Sequence, residues 1–185
     1  MRTNGFVWVV SLGLMVCCAG CVPSLYPLYT GPDVVFDPAL IGEWKSDDLK
    51  ETWVFTQLEE KNYRLALTDQ DGNPGLFTAH LVKVEGRLFL DLFPEEPSEI
   101  KNDFYKGHLL PVHTFSLVKQ VSPTLQVASM KPDELRDYLE DHPTDLAHER
   151  RDNTLILTAK PKDLQSFLLQ HEKEIFSEPG EMKRK

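Results

Sequence analysis

Short apolar or alternating runs separated by turn residues dominate residues 42–129 of this chain. In the run at residues 62–68, Tyr63, Leu65 and Leu67 share one face, as expected for strands whose side chains point alternately to opposite sides. Loop residues at 71–75 and the pair Glu85–Gly86 suit turns between such runs. The pattern predicts an antiparallel meander with strands near residues 42–47, 51–57, 62–68, 76–84, 87–93, 111–119, 124–129 and 154–158.

Both faces of the predicted sheet carry apolar residues. In the fifth run Leu88, Leu90 and Leu92 form one face, whereas Arg87, Phe89, Asp91 and Phe93 form the other. One face is therefore core, and the second is expected to be covered by a helix or by the N-terminal segment.

Two helices are predicted near the C-terminus. Pro132 suits the first position of a helix that Pro143 ends, and Pro161 suits the start of a second. The second is amphipathic, with an apolar face formed by Leu164, Phe167, Leu168, His171 and Ile175. We expect this helix to fold back on the sheet or barrel that the strand at 154–158 completes.

The predicted fold class is mainly β with accessory helices. About eight strands can close into a barrel, which removes exposed sheet edges, or form a strongly curved open sheet. The domain is predicted to span residues 39–176, and residues 177–185 are predicted to be a charged flexible tail.

A short motif adds a resemblance. Ile41-Gly42-Glu43-Trp44, followed by Trp53-Val54-Phe55, resembles the first strands of lipocalins and of uncharacterised lipocalin-like bacterial lipoproteins. The resemblance implies a lipocalin-like barrel in which Gly42 and Trp44 close one end. The chain departs from the family in the helix before its last strand and in lacking an obvious partner arginine, unless Arg150 or Arg151 serves.

The N-terminus predicts export. Met1-Arg2, an apolar run from Phe6 to Val16 and the small pair Ala19-Gly20 fit a signal peptide over residues 1–20. The apolar run is too short for a membrane-spanning helix, which needs about 20 apolar residues. Ala19-Gly20-Cys21 resembles the lipobox of bacterial lipoproteins, which implies acylation of Cys21. The alternatives are an ordinary thiol at Cys21 behind a secretory signal, or lipid on Cys17 or Cys18.

The lipobox resemblance also implies a location and a tether. In the family, an Asp directly after the lipidated cysteine is associated with retention in the inner membrane. Because Val22 occupies that position here, we expect an anchor in the outer membrane that faces the periplasm. Residues 21–38, with several prolines, are predicted to be the lipidated N-terminus and an extended tether, part of which packs on the domain or near the lipid.

Composition argues against nucleic-acid binding and against stabilisation by disulfides. The formal net charge is −9, and the only basic cluster is Lys183-Arg184-Lys185, so nucleic acid is not an expected partner. Cys17 and Cys18 leave with the signal peptide, which excludes an intramolecular disulfide from the mature chain.

No familiar catalytic or metal motif occurs. The acidic turn at 69–73 has its glycine two positions too early for an EF-hand, and the six histidines show no zinc-site spacing. A Gly-x-Ser-x-Gly elbow and a phosphate-binding loop are also missing. We therefore predict neither an enzyme, nor a metal site, nor any cofactor beyond the covalent lipid on Cys21.

Asp91 and His113 are the most suggestive polar residues, because each interrupts an apolar strand. A buried charge needs a partner, so they form either a pair across the sheet or separate contacts with a helix or loop backbone on the covered outer face. With Trp53 and Phe89 they are the candidate ligand-pocket residues.

The first functional hypothesis is a non-enzymatic, lipid-anchored envelope protein that binds a small apolar ligand or lipid. The alternative is a membrane-anchored protein-interaction or envelope-assembly factor that uses the tether or the helical face to bind an envelope protein.

Overall fold

The fold is seen in a computed structural model that describes residues 22–97, 99–152 and 154–185. The predicted signal peptide and the predicted lipidation site Cys21 lie outside the described residues. No helix in the described ranges is long and apolar enough to cross a membrane.

Eleven strands lie in the part of the chain that the structure describes, and most of their connections are short. They are β1 (Val34–Val35), β2 (Gly42–Lys45), β3 (Thr52–Gln57), β4 (Asn62–Thr68), β5 (Pro74–Val84), β6 (Arg87–Pro94), β7 (Thr114–Gln120), β8 (Leu125–Ser129), β9 (His148–Arg151), β10 (Thr154–Leu157) and β11 (Gly180–Arg184). The α-helices are α1 (Asp103–Lys106), α2 (Pro132–Asp141), α3 (Pro161–Gln170) and α4 (Glu172–Ile175), and single turns of 3-10 helix lie at Gly31–Asp33 and Pro38–Leu40.

Strands β2 to β8 and β11 form a closed eight-stranded antiparallel barrel, because β5 also pairs with β6 and β11 joins β8 to β2. The mainly β, lipocalin-like barrel is therefore confirmed over the open curved sheet. Glu85 and Gly86 both have positive φ in the tight β5–β6 hairpin, as their residue types predict.

The two ends of the barrel differ. The loop end carries the β2–β3, β4–β5 and β6–β7 connections, the last of which spans residues 95–113. The hairpin end carries the shorter β3–β4, β5–β6 and β7–β8 turns.

Side chains on the inner face form the first core, the barrel interior. Cross-strand neighbours such as Phe55 and Leu65 alternate with outward-facing residues, as the period of two requires. Trp44, Phe55, Tyr63 and Leu65 are each at most 1 % exposed in this cluster.

The outer face of β5–β8 forms a second core with elements outside the barrel. Phe89 and Leu117 of the barrel pack with Leu135 of α2 and with Leu164 and Leu168 of α3. The prediction that the outer face is covered by helices and by the N-terminal segment is confirmed.

The last barrel strand differs from the prediction. Residues 154–157 do form a strand, but β10 pairs with β9 in a separate hairpin and makes a single bridge to Ser24, and β11 completes the barrel instead. The predicted charged tail is therefore wrong for Gly180–Arg184. Its one apolar side chain, Met182, is 5 % exposed in the interior core, while charged neighbours face outward and hide the pattern.

The predicted tether is also part of the domain. Val22, Ser24 and Leu28 are at most 3 % exposed, and β1 pairs with β5. The prolines prevent a continuous α-helix here, and the apolar side chains between them pack into the second core. We call residues 22–33 the N-terminal strap, and it leaves no spacer between residue 21 and the domain.

Candidate functional site

Gly42 and Trp44 lie where β2 meets β11. The Trp44 ring is fully buried, its Nε1 donates to the Leu40 carbonyl at 2.8 Å, and the Arg184 guanidinium lies 4.5 Å from the ring centroid. Gly42 has φ +135°, and a Cβ there would lie 2.7 Å from Arg184 Nη1. These contacts join the first and last barrel strands.

Arg184 is the arginine that packs on Trp44, and the sequence did not identify it. Arg150 and Arg151, the two candidates, lie in β9 outside the barrel. Arg184 donates to the carbonyls of Ala39 and Ile41, so it also fixes the chain that enters β2. The signal was obscured because Arg184 belongs to a run of three basic residues at the end of the chain.

The four candidate pocket residues do not share one pocket. Trp53 faces the barrel interior, whereas Phe89 lies fully buried in the second core on the opposite face of the sheet. Asp91, two residues after Phe89 in β6, and His113, immediately before β7, lie on the same side of the sheet as Phe89.

Asp91 and His113 do form a buried pair. His113 Nδ1 lies 2.7 Å from Asp91 Oδ1, and the two residues are 9 % and 0 % exposed. Because the carboxylate can only accept, Nδ1 carries the proton in this contact. The second Asp91 oxygen, Oδ2, accepts the backbone N–H of Leu28 at 2.8 Å. The sequence left open either a pair across the sheet or contacts with a backbone on the covered outer face, and Asp91 makes both.

The partners of this pair hold the N-terminal strap. Gln165 of α3, 4 % exposed, donates to the Leu28 carbonyl at 2.8 Å, so both backbone groups of Leu28 bond to buried side chains. Ser24 exchanges two backbone hydrogen bonds of 2.9 Å with His113. Both Asp91 oxygens accept a hydrogen bond and the side chain is fully buried, so this cluster holds the strap on the barrel.

A third group of polar atoms lies beside the strap. His80 pairs with Asn62 across β5 and β4 and with Asp91 across β5 and β6, and its ring contacts Tyr29 at 4.4 Å between centroids. Burial lowers the pKa of His80, an effect that His113 reinforces and that Asp91 and Glu59 oppose. Burial and the nearby Asp91 charge raise the pKa of Tyr29.

This group borders a small cleft. Asn62 Oδ1 and His80 Nδ1 are both buried without a hydrogen-bond partner among the described residues, and both residues line a cleft of about 290 Å³. Water can satisfy such atoms in a polar space of this size.

Among the described residues, an apolar cleft lies at the loop end. Its volume is about 530 Å³, and it lies between the end of β6 and the β6–β7 connection, lined by Phe93, Pro94, Glu95, Glu96, Pro97, Lys106, Leu109, Leu110 and Pro111. We call it the loop-end cleft. The sequence pattern predicted no element between residues 94 and 110, although the residues Phe104-Tyr105 and Leu109-Leu110 are a visible apolar signal there.

A further cleft of about 580 Å³ lies between α3 and residues 144–147. Polar side chains such as Asp145, Asp163, Ser166 and Gln170 line much of it. Tyr138 donates to Asp145 Oδ2 at 2.7 Å near this cleft. It therefore suits an apolar ligand less well than the loop-end cleft.

The acidic turn between β4 and β5 closes on itself. Asp69 Oδ1 accepts the backbone N–H groups of Asn73 and Asp71 at 2.8 and 2.9 Å, and Asp69 Oδ2 accepts the Asn73 side-chain amide at 3.2 Å. The bonds from Asn73, followed by the bond from Asp71, lower the pKa of Asp69. Across the ranges that the structure describes, no group of three or more His, Cys, Asp and Glu side chains is placed to hold a metal ion.

Comparison with known proteins gives no match: no protein-family model matches the chain, and neither does any curated protein or solved structure.

Proposed function

We propose that the protein is a cell-envelope lipoprotein, anchored through a lipid on Cys21 in the outer membrane, whose barrel is a non-enzymatic binding module for a small apolar ligand or lipid. The observation that carries the binding role is the apolar loop-end cleft of about 530 Å³. Clefts of this size that are lined mainly by apolar groups, with a few polar ones, are typical of ligand sites.

The position of the ligand differs from that in an open barrel. Phe55, Tyr63 and Leu65 are at most 1 % exposed inside the barrel and contact one another as core residues. Leu109 and Leu110, in contrast, are 42 % and 69 % exposed beside the loop-end cleft. An apolar ligand gains most by covering these exposed side chains, because apolar burial contributes about 25 cal/mol per Å².

The interaction or assembly role is less well supported. The two surfaces predicted for it, the tether and the apolar face of the C-terminal helix, are both used in the second core, where Leu28, Leu164 and Leu168 are fully buried. A catalytic role gains no support from the Asp91–His113 pair, since that pair already bonds the strap.

Native mass spectrometry of the protein extracted from membranes tests the binding role. We expect a co-purifying lipid or small apolar molecule that Leu109→Asp removes. Leu58→Asp is the matched control, because Leu58 is equally exposed, at 42 %, and lies at the hairpin end. A ligand-free wild-type protein, or equal loss in both variants, would refute binding at this cleft.

Metabolic labelling with an alkyne fatty acid tests the anchor separately. We expect label on the wild-type chain and none on Cys21→Ser. Label that persists in Cys21→Ser would place the lipid elsewhere, on Cys17 or Cys18, or refute this anchor altogether.

A further inference from the structure

The β6–β7 connection exposes large apolar side chains at the loop end. Phe104, Tyr105 and Leu110 are 81 %, 57 % and 69 % exposed. Several large apolar side chains exposed within one short connection are a common sign of a surface that a partner covers. Phe104 and Tyr105 do not line the loop-end cleft, so a ligand in that cleft would leave them uncovered.

The N-terminal strap brings residue 21 close to this connection. Ser24 and His113 exchange two backbone hydrogen bonds of 2.9 Å, and Ser24 is three residues from Cys21 while His113 is three residues from Leu110. Three residues span at most roughly 11 Å, at about 3.6 Å each. Cys21 and Leu110 therefore each lie within that distance of the same backbone bridge.

The strap has no slack that would let the domain move away from an anchor. Val22, the residue after Cys21, is 3 % exposed in the second core. Leu25 and Tyr26, which follow Ser24, are 39 % and 43 % exposed. The exposed apolar residues of the strap directly follow Ser24, and those of the β6–β7 connection come shortly before His113. The Ser24–His113 bridge therefore brings the two exposed apolar segments together.

The charges of the connection favour an uncharged or zwitterionic surface over a strongly charged one. Lys106 Nζ bonds Glu96 at 2.6 Å, and Arg64 bonds both oxygens of Glu95 at 2.7 and 2.8 Å. The other charged residues of the connection, Glu99, Lys101 and the exposed Asp103, add one net negative charge, which disfavours a strongly anionic surface. Tyr105 offers an aromatic ring with a polar tip, the kind of side chain favoured at the boundary between lipid and water.

We infer that Phe104 and Tyr105, together with Leu25 and Tyr26, insert into the surface of the bilayer that holds the Cys21 lipid, while Leu109 and Leu110 line the loop-end cleft beside them. The barrel then stands with its loop end on the membrane, and the loop-end cleft opens toward the lipid. This inference rests on the proposed anchor at Cys21, and it goes further by fixing the orientation of the domain.

Paramagnetic relaxation in vesicles tests the orientation. The lipidated chain is reconstituted in phosphatidylcholine vesicles that contain a nitroxide-labelled lipid, and amide NMR signals are compared with those in unlabelled vesicles. We expect selective broadening of the amides of Phe104, Tyr105 and Leu110, and none at Leu58 at the hairpin end. Broadening at Leu58 and none at the β6–β7 connection would overturn the inference.

Flotation of Cys21→Ser protein with phosphatidylcholine vesicles supplies a second measurement without the lipid anchor. Phe104→Asp should lower the partition coefficient by on the order of tenfold, because a charge replaces an inserted ring. Leu58→Asp should leave it unchanged. Equal partitioning of all three proteins would overturn the inference, and so would a stable dimer in light scattering that Phe104→Asp abolishes, since a second copy would then be the occupant.

The two proposals fail in different ways. Absence of fatty-acid label on the wild-type chain would refute the anchor, whatever the vesicles show. A labelled, anchored protein whose β6–β7 amides are not broadened would keep the anchor and refute the insertion.

Discussion

The two faces of the same barrel strands bury two cores of different character. The interior core consists of apolar side chains such as Trp44, Phe55 and Leu65 from strands that are neighbours in the chain. The second core contains the buried polar groups Asp91 and Gln165, which bond Leu28 over separations of 63 and 137 residues. The first is held by local alternation and volume, whereas the second depends on a few specific long-range hydrogen bonds.

The largest expected effect is in the interior core. Phe55→Ala should lower the free energy of unfolding by about 3–5 kcal/mol, because it removes a fully buried ring and leaves a cavity. Urea denaturation measures the loss. Val54→Ala on the same strand, whose half-buried side chain points outward, should cost clearly less. Equal losses would contradict the assignment of the two faces.

Asp91→Ala should cost about 1–3 kcal/mol, since it leaves the Leu28 N–H and the His113 ring without their acceptor. The effect should be local: hydrogen exchange should speed up at Leu28 and Leu25 before it does at the barrel amide of Leu65. Asp91→Asn keeps one acceptor oxygen and should lose less. Uniform acceleration across the barrel would show that the two cores are not separable.

The difference between the cores also explains how far the sequence could be interpreted. Seven of the barrel strands follow from the period of two, which fixes their faces from residues such as Tyr63, Leu65 and Leu67. The eighth, Gly180–Arg184, was missed because only Met182 is apolar and the pairing that orders it is remote in sequence.

The site was less predictable for the same reason. A charged residue in an apolar strand indicated that Asp91 and His113 have partners, and the pair formed. That Asp91 would also bond Leu28 could not be inferred, since no local pattern links a proline-rich segment to a particular carboxylate 63 residues away.

Gln165→Leu should cost about 1 kcal/mol, because the Leu28 carbonyl loses a buried donor while the apolar replacement keeps the volume of the side chain. Gln170→Leu, at an exposed position of the same helix, is the control. Chemical denaturation gives the stability change, and exchange at the strap amides gives its location. A loss as large as that of Phe55→Ala would mean that the strap supports the whole barrel.

The smallest expected effect is on the pH dependence of stability. It tests whether protonation of His80, beside Tyr29 of the strap, destabilises the fold. Because burial lowers the pKa of His80 below its usual 6.5, the unfolded chain binds more protons than the folded one as the pH falls through that range. The contribution of His80 is therefore present above about pH 6.5 and is lost progressively below it. Thermal unfolding of the wild type should show this decline between about pH 7.5 and 5.5, and His80→Gln should flatten it.

His108→Gln, on the exposed β6–β7 connection, should keep the wild-type decline, and an NMR titration of the His80 ring gives the pKa directly. An identical pH profile in His80→Gln would show that protonation of the His80 ring does not change the stability of the fold. The edge of the second core beside Tyr29 would then be as accessible to water as the protein surface.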